Sequence, residues 1–137
     1  AQEWDSVVIP LFPGKKIRLR RLSKEECECF VKKQPKLLKN ILNYDKINPL
    51  LTFRSRQPGD NFTPYRRKRK TLKKYFSEEN LSPAHRSQAV VVEADGKIVW
   101  VETLGAAEDF AVLDTTNQVL LLELITSVQE ECNNYEK

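Results

Sequence analysis

Residues 51–76 read LTFRSRQPGDNFTPYRRKRKTLKKYF, and this stretch decides the fold. The first six residues alternate in the manner of a strand, which places Arg54 and Arg56 on the face opposite Phe53. Pro58-Gly59-Asp60 is typical of a tight turn, since Pro fixes φ, Gly permits positive φ and Asp bonds nearby amides. The stretch therefore predicts a strand, a turn and then a basic loop that leads into a helix.

The helix is predicted to open at Lys70 or Thr71 and to run for about two turns. Leu72, Tyr75 and Phe76 have the spacing of one apolar stripe along a helix. The lysines fall off that stripe. We therefore expect the aromatic rings to fix the helix to a core, with Lys70, Lys73 and Lys74 facing solvent.

Charge is distributed very unevenly along the chain. The segment from Phe53 to Phe76 holds nine Lys or Arg residues and one acid, Asp60, whereas the whole chain of 137 residues has 23 bases and 19 acids. A net charge of +4 thus combines a segment of +8 with a mildly acidic remainder. Such asymmetry indicates a polyanionic partner, most often a nucleic acid.

Together with a later hairpin, these pieces resemble the C-terminal domain of tRNA(Ile)-lysidine synthetase. That family carries Arg-x-Arg-x-Pro-Gly-Asp-x-Phe, a Pro, a basic loop, a Lys-Leu-Lys-Lys-aromatic helix and a Gly-x-Ile-x-Trp-Val segment. The matching residues are Arg54, Arg56, Pro58, Gly59, Asp60, Phe62, Pro64, 72–76, Gly96, Ile98, Trp100 and Val101. The chain departs from the pattern at Arg66 and Arg69, where the family usually has glycines, and at 86–89, which reads Arg-Ser-Gln-Ala instead of Arg-Asp-x-x-Pro.

The resemblance implies a function and a set of partners. The parent enzyme would attach lysine to the wobble cytidine of tRNA(Ile) in the cytoplasm, using ATP and Mg²⁺. This chain would hold tRNA on the acceptor-stem side, beside its own N-terminal catalytic domain, and would need no cofactor itself. The catalytic loop of the family, Ser-Gly-Gly-x-Asp-Ser, is absent here, so we expect no catalysis by this chain alone. The chain contains no Met, and we expect it to be a piece of a longer polypeptide or a processed form.

The basic residues of the segment are the candidate binding site, because clustered Lys and Arg neutralise phosphates and release counterions. They are Arg54, Arg56, Arg66, Arg67, Lys68, Arg69, Lys70, Lys73 and Lys74, and Pro58, Gly59 and Asp60 form the structural turn. Two alternatives stay open at this point. Arg54 or Arg56 could instead pair with Asp60 to hold the turn, and Tyr65 could either stack on a base or only pack, whereas Phe62 is expected in the core.

The remaining patterns predict an α+β fold. We expect a small mixed or antiparallel sheet, a short basic helix and a C-terminal hairpin, preceded by part of a second α/β segment. The predicted elements are strands at 7–12, 16–20, 89–92, 97–101 and 119–125, a helix from Ser23 towards Lys33, a short helix or turn opened by Ser82-Pro83, and an ambiguous piece at 37–42. Asp95-Gly96 marks the hairpin turn.

The domain division follows from the resemblance and from composition. We expect the end of a preceding domain or a linker at 1–48, the tRNA-recognition domain at 49–126 and a polar tail at 127–137, with a boundary near Asn48-Pro49. On the sheet face of 16–20, Lys16, Arg18 and Arg20 are either solvated or a second strip of phosphate contacts.

Other classes of function have little support in the sequence. Cys27, Cys29 and Cys132 are odd in number and lack a nearby His, which disfavours a disulfide framework and a metal site. His85 has no patterned nucleophile or carboxylate, so no catalytic residue is predicted. No segment has the length of a membrane span. A homodimer stays open, and the alternative functions are a basic protein-interaction or oligomerisation module and a general RNA- or DNA-binding domain of another enzyme.

Overall fold

The structure, a computed structural model, describes residues 6–12, 14–47 and 51–126. The strands are β1 Ser6–Phe12, β2 Lys15–Ser23, β3 Ile41–Asn43, β4 Leu51–Arg54, β5 Asn61–Phe62, β6 Lys70–Thr71, β7 Val91–Ala94, β8 Lys97–Val101, β9 Gly105–Ala106 and β10 Gln118–Thr126. The α-helices are α1 Lys24–Lys33, α2 Leu72–Glu78 and α3 Pro83–Gln88, and 3₁₀ helices span Pro35–Asn40, Tyr44–Lys46 and Glu108–Phe110. The predicted α+β class is confirmed.

Two four-stranded antiparallel sheets organise the described residues. The first has the order β1-β2-β10-β3, and the second has the order β4-β7-β8-β9. A separate two-stranded ladder joins β5 to β6. Strand β10 lies between β2 and β3. The strands of the second sheet therefore come between β3 and β10 along the chain, and β10 then joins the first sheet.

The alternation of the first sheet follows the sequence prediction. Ile17 and Leu19 are buried, whereas Lys16, Arg18 and Arg20 lie on the wetter face of β2. On that face Arg18 and Arg20 both approach Glu123 of β10, at 3.6 and 3.0 Å. The shared carboxylate offsets part of the positive charge that the sequence had placed there.

One apolar core is shared by both sheets. Ile17, Leu42 and Leu120 of the first sheet pack in the same cluster as Val92 and Trp100 of the second. Each of these side chains is almost completely buried. At about 25 cal/mol per Å² of apolar surface, burial of this kind supplies most of the free energy that holds the two sheets together.

An ion pair crosses between the sheets at the edge of this core. Lys15 Nζ lies 2.9 Å from Glu102 Oε1 and donates a 2.6 Å hydrogen bond to the carbonyl of Gln88. The same Glu102 oxygen accepts the backbone amide of Val90. Lys15 is therefore buried with its ammonium satisfied, as a buried charge requires.

Local signals in the sequence account for the ends of α1. The Ser23 hydroxyl accepts a hydrogen bond from the backbone amide of Glu26, and the Glu26 carboxylate accepts one from the backbone amide of Ser23. This arrangement confirms the predicted capping box. The helix ends at Lys33, ahead of Pro35. The ambiguous piece at 37–42 divides between the 3₁₀ helix and β3.

The hairpin turn is also where Asp-Gly predicted it. Asp95 and Gly96 adopt φ values of 53° and 77° between β7 and β8, the backbone that a two-residue turn between twisted strands needs. Ser82 caps α3 and Pro83 occupies its first turn, as expected. No helix among the described ranges is both long and apolar enough to cross a membrane.

Several predictions fall on residues outside the described ranges. These are the boundary near Asn48-Pro49, Cys132 and the polar tail at 127–137. The division into 1–48 and 49–126 stays a prediction, and the structure adds that β10 completes the sheet that contains β2 and β3.

Candidate nucleic-acid interface

Arg54 is held by two carboxylates at the end of β4. Its Nη1 and Nη2 atoms lie 2.9 and 3.1 Å from the two oxygens of Asp60, and its Nε donates a 2.8 Å hydrogen bond to Glu93 on β7. The side chains of Arg54 and Asp60 are only 16% and 12% exposed. The pairing that the sequence had left open is therefore present, and Arg54 braces the turn.

Both partners of this pair carry shifted pKa values. The hydrogen bond with Asp60 raises the pKa of Arg54, although burial opposes that shift. Burial alone would raise the pKa of Asp60, but the hydrogen bonds from Arg54 and from the amide of Gln57 outweigh it, so the net pKa lies below its ordinary value. Both groups stay charged at neutral pH.

Glu93 is the partner that sequence reasoning missed. It lies 39 residues from Arg54 along the chain, and only the pairing of β4 with β7 brings it close. No local pattern reports such a contact.

Arg56 corrects the predicted strand geometry. The strand ends at Arg54, so the two arginines do not share a strand face. Arg56 lies in the following irregular segment, half-buried, where its charge contributes to the lowered pKa of Asp60. The chain turns at Gln57, Pro58 and Gly59, so the extended backbone ends before side chains could continue to alternate between the two faces as far as Arg56.

Asp60 also connects the turn to the helix. Its amide donates to the carbonyl of Gln57 at 3.2 Å, and its own carbonyl accepts the amide of Leu72 at 2.9 Å. Gly59 adopts a φ of 86°, which an L side chain rarely tolerates. Pro58, Gly59 and Asp60 thus lie in a tight turn, and this turn fixes the start of α2.

The helix α2 begins at Leu72, one or two residues later than the predicted start at Lys70 or Thr71. Thr71 caps it by accepting the amide of Lys74, and Leu72, Tyr75 and Phe76 are fully buried, as the stripe predicted. Phe62 packs in the same cluster, which confirms its place in the core.

Lys70 does not project freely from the helix, in contrast to the prediction. It lies in β6, ahead of α2, and its Nζ donates to both carboxylate oxygens of Glu78 at 3.0 and 2.8 Å. This hydrogen bond lowers the pKa of Glu78. Lys73 and Lys74, by contrast, are exposed on α2.

The loop between Pro64 and Lys70 is fixed at several backbone atoms. The amide of Tyr65 donates to Ala106 of β9 at 3.1 Å, and the amide of Arg67 donates to Pro64 at 3.0 Å. The hydroxyl of buried Tyr75 donates to the carbonyl of Lys68. The loop backbone is thereby tied to both β9 and α2.

Arg66 stands in a left-handed backbone conformation with a φ of 64°. This is one of the two positions where the resembling family usually has glycine. The loop thus keeps the backbone that glycine would favour, although an arginine occupies the position. A side chain in this conformation costs of order 1–2 kcal/mol relative to glycine.

The exposed bases of the loop and helix form one group, which we call the basic patch. Its members are Arg66, Arg67, Lys68, Arg69, Lys73 and Lys74. Arg67 stacks over the ring of Tyr75 at 4.7 Å, and its Nη1 lies 3.9 Å from the carboxylate of Glu79. Of the nine predicted contacts, these six are displayed to solvent, Arg54 and Lys70 are engaged by carboxylates, and Arg56 is half-buried.

Two other predictions concern groups outside the basic patch. His85 lies in the first turn of α3, where its Nδ1 is 3.0 Å from the hydroxyl oxygen of Ser82. Cys27 is buried, which raises the pKa of its thiol, and Cys29 is exposed. Within the described ranges, no group of three or more His, Cys, Asp or Glu residues is placed to hold a metal ion.

Comparison with known proteins identifies similar sequences and a similar fold. The sequence model of one protein family, the TilS substrate C-terminal domain, matches residues 51–122. A tRNA(Ile)-lysidine synthase from Caldanaerobacter subterraneus subsp. tengcongensis is 35% identical over 84 residues, which are 61% of this chain and 18% of that protein. A tRNA(Ile)-lysidine synthase from Parabacteroides distasonis is 32% identical over 85 residues, which are 61% of this chain and 19% of that protein.

A solved structure has the same fold. The crystal structure of a TilS C-terminal domain matches with a TM-score of 0.69 and 22% identity, over 88% of this chain and 90% of that chain. The chain spans about a fifth of the length of the curated relatives that it matches.

Proposed function

Because this chain belongs to the TilS substrate C-terminal domain family, we propose that it binds tRNA(Ile) on behalf of a tRNA(Ile)-lysidine synthase. In this proposal the chain holds the acceptor-stem side of the tRNA in the cytoplasm. A catalytic domain of the same parent enzyme attaches lysine to the wobble cytidine and takes ATP and Mg²⁺. The chain itself contributes binding and position, and takes no part in the chemistry.

The observation that carries the proposal is the basic patch. Six exposed cations follow one loop and one helix, and the sequence from Asn61 to Ser77 contains no Asp or Glu. Double-stranded RNA is recognised mainly through its backbone and shape, so Lys and Arg suit this task better than side chains that read bases. Counterions released from the RNA supply much of the binding free energy.

The support beneath the basic patch favours binding to a fixed shape. Arg54 and Asp60 hold the turn, and Tyr75 holds the loop by the carbonyl of Lys68. Cations carried on such a backbone lose less conformational entropy when they bind than cations on a free tail would. The patch therefore suits a regular phosphate backbone such as that of an RNA duplex.

A salt titration tests the electrostatic part of the proposal. With on the order of four to six phosphates contacted, the slope of log K against log salt should lie between about −3.5 and −5.5. Filter binding of the full chain to tRNA(Ile), over a range of salt concentrations, measures it. A flat response would remove the electrostatic argument, and retention of an acidic protein instead of tRNA would favour a protein-interaction module.

A second experiment tests the division of labour. Incubated with ATP, lysine and tRNA(Ile), the isolated chain should form no lysidine and consume no ATP. Turnover by the chain alone would show that it takes part in the chemistry, whatever its affinity for tRNA.

A further inference from the structure

A groove of about 410 Å³ lies at the edge of the basic patch. Tyr65 and Arg67 line it from the loop, and Leu38 and Lys39 line it from the 3₁₀ helix Pro35–Asn40. Strand β9 touches both sides, since Ala106 accepts the amide of Tyr65 and Gly105 lies against the backbone of Lys39. The groove therefore joins the basic patch to the first 48 residues of the chain.

The groove exposes large apolar side chains. Leu38 is 61% exposed and Tyr65 is 40% exposed, and both are among the few large apolar residues that the described surface displays. Exposed apolar surface that gathers in one concave place marks a binding site more often than scattered single residues do. Tyr65 also carries the guanidinium of Arg66 over its ring, at 5.1 Å.

The charge around the groove has one sign. Lys39 and Arg67 line it, and no Asp or Glu is among the described residues that do so. Lys36, on the same 3₁₀ helix, is exposed as well. An apolar groove with an aromatic ring and a cation on each side is the arrangement with which proteins hold unpaired nucleotides, where the ring stacks on the base and the cations meet the phosphates.

The side of the groove that comes from the 3₁₀ helix is held in place. Trp100 is buried and donates its indole N–H to the carbonyl of Lys39 at 2.8 Å. Gly105 has a φ of 92°, so β9 takes a backbone there that other residues rarely adopt. The two sides thus keep their separation without a ligand.

We propose that this groove binds one unpaired nucleotide that adjoins the RNA duplex held by the basic patch. The base stacks on Tyr65 and against Leu38, and its phosphates lie between Lys39 and Arg67. The groove volume falls within the roughly 300–1,000 Å³ usual for small ligands, which accommodates a single nucleotide. This inference rests on the proposed RNA-binding function. It adds a site for an unpaired nucleotide to a surface that otherwise binds the backbone of an RNA duplex.

The test compares two RNA probes on the full chain. One is a blunt hairpin duplex, and the other is the same duplex with a short 3′ overhang that carries 2-aminopurine. The probe with the overhang should bind about five- to tenfold more tightly, which corresponds to stacking energies at the lower end of those measured for aromatic residues. The fluorescence of 2-aminopurine should fall as the base stacks.

Matched variants separate the groove from the duplex surface. Tyr65→Ala and Lys39→Ala should remove the gain from the overhang and leave binding of the blunt duplex unchanged. Tyr65→Phe should retain the gain, since no hydrogen bond of the hydroxyl is needed for stacking. Lys46→Ala, at an exposed lysine that does not line the groove, should behave as the wild type.

The outcomes distinguish this inference from the function on which it rests. Equal affinity for the two probes in the wild type, or equal weakening of both by Tyr65→Ala, would overturn the groove as a nucleotide site. Binding of the overhang strand without binding of the duplex would overturn duplex recognition and leave the groove proposal standing. Failure to bind either probe would overturn both.

Discussion

Arg54 and Asp60 meet at two points, with Nη1 2.9 Å from Oδ2 and Nη2 3.1 Å from Oδ1. This two-point geometry fixes the orientation of both side chains, and it suits Arg because the guanidinium is planar and always charged. Through Asp60 the pair also orients the turn and the first residue of α2. This largely buried cation of the basic segment therefore serves the fold, and it positions the cations that face solvent.

Replacement of Arg54 should cost stability more than it costs RNA binding. Arg54→Ala leaves Asp60 and Glu93 largely buried without their cation, and we expect the free energy of unfolding to fall by about 2–4 kcal/mol. Urea unfolding followed by circular dichroism measures this loss. Arg56→Ala is the matched control and should cost less than about 1 kcal/mol, and an equal loss in both variants would contradict the structural role of Arg54.

The lowered pKa of Asp60 predicts a loss of stability on the acid side. The carboxylate binds its proton less readily in the folded chain than in the unfolded chain, where its pKa is about 3.9. Its contribution is therefore complete above about pH 4 and disappears as the pH falls through the lower pKa of the folded state. Unfolding of Asp60→Asn should show a shallower decline between about pH 4 and pH 2 than the wild type does.

A control separates this effect from the general acid denaturation of the chain. Asp114→Asn changes an exposed carboxylate in a loop. Its stability should follow the wild-type pH dependence, so a shallower decline in this variant as well would mean that Asp60 has no special part.

Arg66 allows backbone strain and charge to be separated at one position. Arg66→Gly should raise the free energy of unfolding by about 0.5 kcal/mol, because relief of the left-handed strain exceeds the entropy that glycine adds to the unfolded chain. Arg66→Ala removes the same charge and keeps the strain. Both variants should lower the salt slope of tRNA binding by about 0.9, the value for one lost phosphate contact.

The two variants should therefore bind tRNA alike and differ in stability. If Arg66→Gly unfolds more readily than Arg66→Ala in urea, the loop does not keep the left-handed backbone at this residue. An unchanged salt slope in both variants would show that Arg66 contacts no phosphate.

Lys73 and Lys74 should matter more for tRNA binding than Lys70 does. The first two are exposed on α2, whereas Lys70 is paired with Glu78. In the parent enzyme, Lys73→Glu with Lys74→Glu should raise KM for tRNA at least tenfold, since two attractive contacts become repulsive. KM for ATP should stay as it was, and Lys70→Ala should change tRNA binding by less than a factor of about three. A loss confined to ATP binding would contradict the assignment.

Local signals made much of the fold predictable. Ser23 with Glu26, Asp95 with Gly96, and the spacing of Leu72, Tyr75 and Phe76 each act within a few residues, so a sequence window contains the whole cause. Such patterns predicted the start of α1, the turn between β7 and β8 and the core side of α2.

The relations between distant segments could not be read in this way. Arg54 meets Glu93 across 39 residues, and Leu38 lines a groove with Tyr65 only because β9 lies between their segments. The sequence showed that Arg54 was basic but not that two carboxylates would surround it. The sequence therefore singled out the basic segment, while the contacts of its individual cations required the fold.

The return of β10 has a kinetic consequence. Residues 118–126 pair with residues 15–23, so the first sheet closes across almost the whole described chain. Contacts of such long sequence separation slow folding, because the intervening loop must be ordered before they form. During synthesis on the ribosome, β2 and β3 are made early and must wait for the strand that lies between them. The nascent chain thus carries an unpaired apolar edge until β10 emerges, and that interval is when it is most exposed to aggregation and to capture by chaperones.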